Sequence, residues 1–217
     1  MKKILFIIVL LSTSLIAQKG QYGFAVSGGM NIPTGDFANF YNTAFGGFGG
    51  IFYNFSETGR VSAIIGYNSW AVDLDAVNEN LTNSGNKGKY NLEAPVSAIP
   101  ILIGIKFFLK TKMTFTPYIM AEGGIYKITR EVYGQYINGD GAATPLTPQS
   151  DRTNDGAFNV GFGIEYPINE TINFDINAKY HYILNKDTYN LGDAGYASSY
   201  SAISFISINA GLNIFFQ

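Results

Sequence analysis

The chain has 217 residues, no cysteine and a nearly balanced charge, with 14 Lys and Arg against 16 Asp and Glu. The lack of cysteine excludes a disulfide-stapled scaffold and thiol chemistry, and a net charge of −2 provides no basic surface for nucleic acid. With 25 Gly, 15 Tyr and 17 Phe but few charged residues, the composition favours a single all-β domain and points to no cofactor.

The first 20 residues have the pattern of a secretory signal peptide. Met1 is followed by Lys2 and Lys3, residues 4–11 are apolar, and small or weakly polar residues continue to Ala17. A membrane anchor is the alternative, but the apolar run is well short of the ~20 residues that a spanning helix needs. We therefore expect cleavage near Ala17 and a mature domain over residues 21–217.

The rest of the chain alternates between strand-like runs and turns. Apolar residues recur at every second position, which is the period of a strand with two different faces. Eight strands are predicted, at residues 22–32, 44–55, 60–72, 94–110, 115–133, 157–168, 171–184 and 204–217. The second run is rich in glycine, but it lacks the spacing and the Lys-Ser/Thr of a phosphate-binding loop, so its glycines fit barrel curvature better.

The connections between these strands alternate in length. Those after the second, fourth and sixth strands span only a few residues, whereas residues 73–93, 134–155 and 185–200 form long polar segments. A transmembrane barrel has short turns at one rim and longer loops at the other. We therefore expect the three long segments to lie at one rim and to face outward from the cell.

The last strand has one unbroken apolar row. This row is Ile206, Ile208, Ala210, Leu212, Ile214 and Phe216. The strand carries neither charge nor proline to protect a free edge, which favours pairing on both sides in a closed antiparallel up-and-down barrel. Apolar rows also run along the fourth, sixth and seventh strands and are expected to face lipid. A soluble barrel of lipocalin type is the alternative, but these rows would leave it with a large apolar band in water.

Ionisable residues lie on the opposite rows of the fourth to seventh strands. They are Lys106, Glu122, Glu165, Asp175, Lys179 and His181. Because opposite charges on adjacent strands can pair, we expect Lys106 to pair with Glu122 and Glu165 with Lys179. An eight-stranded barrel is only just wide enough for its own side chains, so these residues favour a plugged lumen. The alternative is a charged constriction in a narrow channel.

Two patterns hint at other chemistry. The single histidine, His181, lies near the outer end of its strand and could act with Asp187 or Ser199, but no nucleophile motif accompanies it. An ordinary lumenal histidine in a non-enzymatic barrel is favoured. The acidic residues within 73–79 suggest calcium, yet the glycine of an EF-hand loop is absent, so a solvated loop without metal is favoured.

These features together resemble the small eight-stranded outer-membrane β-barrel family typified by the OmpA membrane domain and OmpX. The resemblance covers nearly all of the mature chain and rests on the signal peptide, eight alternating strands, alternating connections and the aromatic end of the last strand. Residues 30–37, MNIPTGDF, and 117–124, PYIMAEGG, also look like segments of the porin-like barrels of Bacteroidota.

The resemblance implies an integral protein of the Gram-negative outer membrane, whose partners are outer-membrane lipids and the barrel-insertion machinery. In this family that machinery recognises the final strand, which assigns the insertion signal to Leu212, Ile214 and Phe216, with Gln217 following the terminal aromatic. The expected function is a structural or surface-interaction role, with a largely plugged lumen and long loops that can bind an extracellular ligand. The alternative is a narrow porin-like channel or transporter for small solutes or apolar compounds.

Overall fold

The computed structural model describes residues 19–184, 188–190, 197–199 and 202–216. Long strands dominate this part of the chain. In chain order the elements are β1 (Tyr22–Thr34), a 3-10 helix (Gly35–Asn39), β2 (Ala44–Ser56), β3 (Gly59–Trp70), α1 (Leu74–Asn83), β4 (Lys89–Glu93), β5 (Val96–Phe108), β6 (Thr116–Ile137), β7 (Ala143–Pro145), β8 (Gln149–Pro167), β9 (Ile172–Ile183), β10 (Thr188–Asn190), β11 (Ala197–Ser199) and β12 (Ile203–Phe216).

Eight of the strands form a closed antiparallel barrel, which confirms the predicted fold. The order around the barrel is β1, β2, β3, β5, β6, β8, β9 and β12, and β12 pairs back to β1. This last pairing runs without interruption from Tyr22 opposite Phe216 to Thr34 opposite Ser204. The final strand therefore has no free edge, as its lack of charge and proline predicts.

The barrel strands have an apolar outward face and a more polar inward face, which is the reverse of a soluble protein. On β12, Ile206 and Ile208 are exposed, whereas Ser207 and Asn209 are buried. The same inversion holds around the barrel, because large apolar side chains cover the outside and most buried polar side chains lie inside. A wall of this kind satisfies its backbone hydrogen bonds internally and presents only apolar groups to lipid.

The long polar segment at residues 73–93 contains regular secondary structure, and the prediction of a solvated loop at residues 73–79 is wrong. It contains α1 and β4, which pack on a hydrophobic cluster that includes Val77, Leu81 and Val132. Asp73 caps α1, because its Oδ1 accepts a hydrogen bond from Ala76 N at 3.1 Å. The carboxylate that hinted at calcium therefore has a structural role.

The hairpin of β6 and β8 extends past the other strands, so most of the second predicted loop is also ordered. β6 continues to Ile137 and β8 begins at Gln149. β4 pairs with this extension, and the Tyr133 hydroxyl donates to Oε2 of Glu93 at 2.6 Å. That hydrogen bond raises the pKa of Tyr133, because ionisation of the phenol would remove the donor.

Residues 1–18 of the predicted signal peptide and most of the third predicted loop, at 185–200, lie outside the described residues. Of that loop, β10 and β11 are described, and they pair with each other from Thr188 opposite Ser199 to Asn190 opposite Ala197. No helix within the described ranges has the length and apolar character to cross a membrane.

Candidate functional site

The barrel lumen contains three layers of side chains between the end with short turns and the end with long loops. An ionic layer lies near the short-turn end, where Arg60 is close to the start of β3 and Glu165 is close to the end of β8. A second ion pair and His181 lie farther along the lumen. Near the long-loop end, aromatic rings form the third layer.

Two carboxylates organise the ionic layer. Glu165 accepts hydrogen bonds from Arg60 Nη1 at 2.7 Å and from Lys106 Nζ at 2.9 Å. Asp175 accepts from the same Lys106 Nζ at 2.9 Å and from the Tyr118 hydroxyl at 2.8 Å. Lys106 thus bridges both carboxylates, and each anion has more than one charged or polar donor.

Arg60 combines this ion pair with aromatic contacts. Its guanidinium carbon lies 4.2 Å from the ring centroid of Phe52, 4.9 Å from that of Phe108 and 5.4 Å from that of Phe215. The planar guanidinium suits both kinds of contact, because it binds carboxylates edge-on and packs flat on rings. Arg60 therefore occupies the middle of the lumen at the short-turn end.

The second ion pair joins β6 and β9. Lys179 Nζ lies 3.3 Å from Oε1 of Glu122, and Asn159 Nδ2 donates to Oε2 of Glu122 at 2.9 Å. The ammonium group also lies 4.4 Å from the ring centroid of Phe48. Both charged side chains are buried, so the pair is shielded from water.

His181 is completely buried beside this pair. Its ring stacks on Phe205 at 4.2 Å between centroids, with Nδ1 lying 2.7 Å from the Tyr126 hydroxyl and Nε2 2.8 Å from Ser207 Oγ. Asn159 Nδ2 also donates to the Tyr126 hydroxyl oxygen at 3.4 Å. Each ring nitrogen of His181 therefore has a hydroxyl partner, and a hydroxyl can either donate or accept.

A hydrogen-bonded chain links His181 to the ionic layer. Asn209 Nδ2 donates to Ser207 Oγ at 2.9 Å and to Asn177 Oδ1 at 3.1 Å. Asn177 Nδ2 then donates to Asp175 Oδ1 at 2.6 Å. Side chains of β9 and β12 therefore form one continuous polar network through much of the lumen.

The third layer is aromatic. The 3-10 helix inserts Phe37 into the barrel, where its ring lies 4.5 Å from that of Tyr41 and 5.5 Å from that of Trp70. Trp70 in turn lies 4.8 Å from Phe205. These rings are almost fully buried and fill the lumen near the long-loop end.

Comparison with known proteins agrees with this architecture. A family model described as the outer membrane protein beta-barrel domain matches residues 4–213. The chain belongs to this outer-membrane β-barrel family. It is an outer-membrane protein, and its exposed apolar wall faces the lipids of that membrane. No curated protein matches the sequence.

Solved structures of other outer-membrane barrels are similar in fold to this family member. A major outer membrane protein of Thermus thermophilus has 10% sequence identity and a TM-score of 0.52, with 90% of this chain and 99% of that chain covered. Neisserial surface protein A has 13% identity and a TM-score of 0.47, covering 91% and 100%. Ail of Yersinia pestis has 12% identity and a TM-score of 0.44, covering 92% and 100%. At these identities the likeness concerns the fold alone.

The structure of this outer-membrane barrel places all of the predicted lumen residues inside the barrel, but it exchanges their partners. The predicted pairs Lys106 with Glu122 and Glu165 with Lys179 are wrong. Lys106 contacts Glu165 and Asp175, and Lys179 contacts Glu122. The reason is geometric, because in a narrow barrel long side chains reach across the lumen, and pairing need not follow adjacent strands.

Sequence reasoning also missed Arg60. It lies next to the first residue of β3, a strand whose two faces were not assigned from the sequence. Counting back by twos from the buried Trp70 through Asn68 nevertheless reaches Arg60 on the same inward row. Within the described residues, the hydrogen-bonding partners of His181 are Tyr126 and Ser207 and not its two suggested catalytic partners. Asp187 lies outside the described residues, and Ser199 belongs to the short strand β11.

Proposed function

We propose that this protein is a non-enzymatic outer-membrane barrel with a closed lumen, and that its folded long-loop end presents a surface to the outside of the cell. The observation that supports this most directly is the matching of lumenal charge. Arg60, Lys106 and Lys179 stand against Glu122, Glu165 and Asp175, and each of them lies within 3.3 Å of an opposite charge.

Paired charges of this kind favour side chains that fill the lumen over a path for ions. An ion passing through the lumen would have to replace several charge-assisted hydrogen bonds at once, in a region of low dielectric. The aromatic layer of Phe37, Trp70 and Phe205 adds an apolar barrier that offers no ligand to a hydrated ion. Two barriers of different chemistry therefore lie in series.

The surroundings of His181 favour a structural role for it over catalysis. Both ring nitrogens have hydrogen-bonding partners, and the ring lies inside the lumen, stacked on Phe205. A substrate at either rim would not reach it, whereas a general base must contact the proton that it takes.

A narrow channel is the second candidate, and one observation favours it. A cavity of about 80 Å³ lies between the ionic layer and the second ion pair, lined by Lys106, Lys179 and Asp175 among others. Gly50 on β2, Gly104 on β5 and Gly211 on β12 also line this cavity, and their lack of a side chain leaves room for it. Such a space is large enough for several water molecules.

Conductance of the refolded protein in a planar bilayer distinguishes the two candidates. The variants are Lys106→Ala/Lys179→Ala and a control, Lys110→Ala/Lys112→Ala, which removes the same charge from the exposed short turn. We expect no steady conductance from inserted wild-type protein or the control. Steady, ion-selective conductance that changes in the Lys106→Ala/Lys179→Ala variant but not in the control would overturn the closed lumen.

We further propose that the barrel-insertion machinery recognises the last strand through Leu212, Ile214 and Phe216. These three side chains lie on the outward row of β12, next to β1, and the ring of Phe216 lies 5.7 Å from that of Tyr22. The backbone edge that β12 presents to β1 is free only before the two strands have paired, which suits recognition of this strand during assembly.

A further inference from the structure

A groove of about 680 Å³ runs along the long-loop end between the 3-10 helix and α1. Asn39 and Phe40 line one side, and Glu79, Asn80 and Asn83 line the other. This volume lies within the range of ligand sites, about 300–1,000 Å³. We propose that the groove binds a neutral oligosaccharide.

Both walls of the groove are fixed to the barrel. α1 is held on its inner side by the buried Val77 and Leu81, and Asn78 makes two hydrogen bonds to the backbone of Tyr90. On the other wall, the backbone oxygen of Phe40 accepts from Asp73 N at 2.8 Å. The spacing between the two sets of side chains is therefore preorganised, which lowers the entropy lost on binding.

The polar groups of the groove are unused. Asn39, Glu79, Asn80 and Asn83 are exposed, and none of their side chains makes a hydrogen bond within the ranges that the structure describes. Other amides of the same region differ. Asn78 binds the backbone of Tyr90, and Asn86 accepts from Gly88 N and the Tyr136 hydroxyl.

The chemistry of these groups matches sugar hydroxyls. An amide places a donor and an acceptor side by side, and a hydroxyl both donates and accepts, so each Asn can bind a pair of neighbouring hydroxyls. Phe40 is partly buried and packs against both hydrophobic clusters, so it gives the groove one fixed apolar surface. Ala38 and Ala76 extend this apolar surface, so the groove combines polar groups with a smaller apolar area.

Charge argues against an anionic ligand. No Lys or Arg lines the groove, and Glu79 adds one negative charge. A phosphorylated or sulfated glycan would meet repulsion with no cation to offset it. The inference rests on the proposed function only for the placement of this rim outside the cell, and it does not depend on whether the lumen conducts.

Calorimetric titration of the full-length mature protein in lipid nanodiscs tests the proposal. The probes are maltohexaose and chitohexaose as neutral glycans, a sulfated hexasaccharide, and an uncharged Gly-Ser hexapeptide. The test variant is Asn80→Ala/Asn83→Ala, and Asn91→Ala on β4 is the control. Because Ala favours a helix more than Asn does, the test variant should keep α1 folded, and circular dichroism would confirm it.

We expect at least one neutral glycan to bind to the wild type and the control, with affinity at least tenfold lower for the test variant. No binding of either neutral glycan, equal binding by the test variant, or preference for the sulfated glycan would overturn the proposal. Binding of the peptide alone would reassign the groove to protein recognition. The same variants in the bilayer assay separate this result from the lumen, because conductance would refute only the closed barrel.

Discussion

Glu165 lies directly opposite Asp175 in the register of β8 and β9. Across the lumen, Arg60 lies directly opposite Lys106 in the register of β3 and β5. Like charges at facing positions of neighbouring strands repel each other. The two pairs therefore stabilise each other only by reaching across the barrel, and this makes the ionic layer a fixed part of the folded state.

Removing one member of this layer should be costly. In Lys106→Ala, Glu165 and Asp175 lose their shared cation while remaining buried beside each other. We expect the free energy of unfolding to fall by about 3–5 kcal/mol, the range for breaking a buried ion pair. Urea titration of the protein in lipid vesicles measures this change.

Lys110→Ala is the matched control, because it removes a lysine only four positions away. Its partner is Glu57 at 3.3 Å, and the Lys110 side chain is 68% exposed against 16% for Lys106. An exposed pair contributes about 0–1 kcal/mol. Equal losses in the two variants would contradict a stabilising role for the ionic layer.

Much of the barrel could be predicted from sequence because its strands have two chemically different faces. Alternation along β12, with isoleucines on one row and Ser207 and Asn209 on the other, indicates both the strand and its lipid-facing side. The predicted ends of β6 and β8 were less accurate, because the polar residues beyond the membrane no longer alternate with apolar ones.

The partners of the lumenal charges were not predictable in the same way. Alternation indicates which side chains point inward, but the pairing of Lys106 with Asp175 depends on the curvature that brings β5 close to β9. α1 was missed because its buried face rests mainly on Val77 and Leu81 in an Asn-rich segment. The helix is stabilised only when this face packs on the apolar surface that β4 and β6 supply.

Gly46 and Gly47 are neighbours with opposite expected tolerance to alanine. Gly46 points inward, and Asn31 Nδ2 donates to Asn68 Oδ1 at 2.8 Å directly over it. A methyl group at Gly46 would contact both amides and lie 2.9 Å from the Tyr67 backbone oxygen. We expect Gly46→Ala to lower the free energy of unfolding by about 1–3 kcal/mol through overpacking.

Gly47 points outward and provides the control for that substitution. The nearest atom to an added methyl group is the Ser27 backbone oxygen at 3.5 Å, an ordinary contact. Gly47→Ala should leave the free energy of unfolding unchanged or raise it by up to about 1 kcal/mol, because Ala restricts the unfolded chain. Urea titration applies again, and a larger loss at Gly47 than at Gly46 would refute this account of the inward face.

Asn78 should hold α1 to the barrel without affecting the barrel itself. Its side chain donates to Tyr90 O at 3.0 Å and accepts from Tyr90 N at 2.7 Å. Asn78→Ala removes both hydrogen bonds. The loss of a partner for a buried polar group lowers stability by about 1–3 kcal/mol. Hydrogen exchange should accelerate roughly tenfold or more within residues 74–93, as such a local loss implies. Unchanged exchange there, or equal acceleration in Asn91→Ala, would contradict it.

Phe215 and Phe216 are adjacent, but we expect their substitution to impair different stages. Phe215→Ala should lower the stability of the folded barrel, and Phe216→Ala should impair its assembly in the membrane. Phe215 points inward, is 6% exposed and lies 5.3 Å from Phe52, so Phe215→Ala should lower the free energy of unfolding by about 3–5 kcal/mol. Phe216 points to lipid and is 44% exposed, so Phe216→Ala should change that free energy much less.

In cells, Phe216→Ala should impair assembly more than Phe215→Ala does if the outward row is the insertion signal. Phe216→Ala removes the last apolar side chain of the row that contains Leu212 and Ile214, so we expect less assembled barrel in the outer membrane despite a stable fold in vitro. The assembled fraction, measured by heat-dependent gel mobility of isolated outer membranes, separates the two stages. Normal assembly of Phe216→Ala would refute recognition through that row, because the substitution leaves the inward face and its contacts with Arg60 intact.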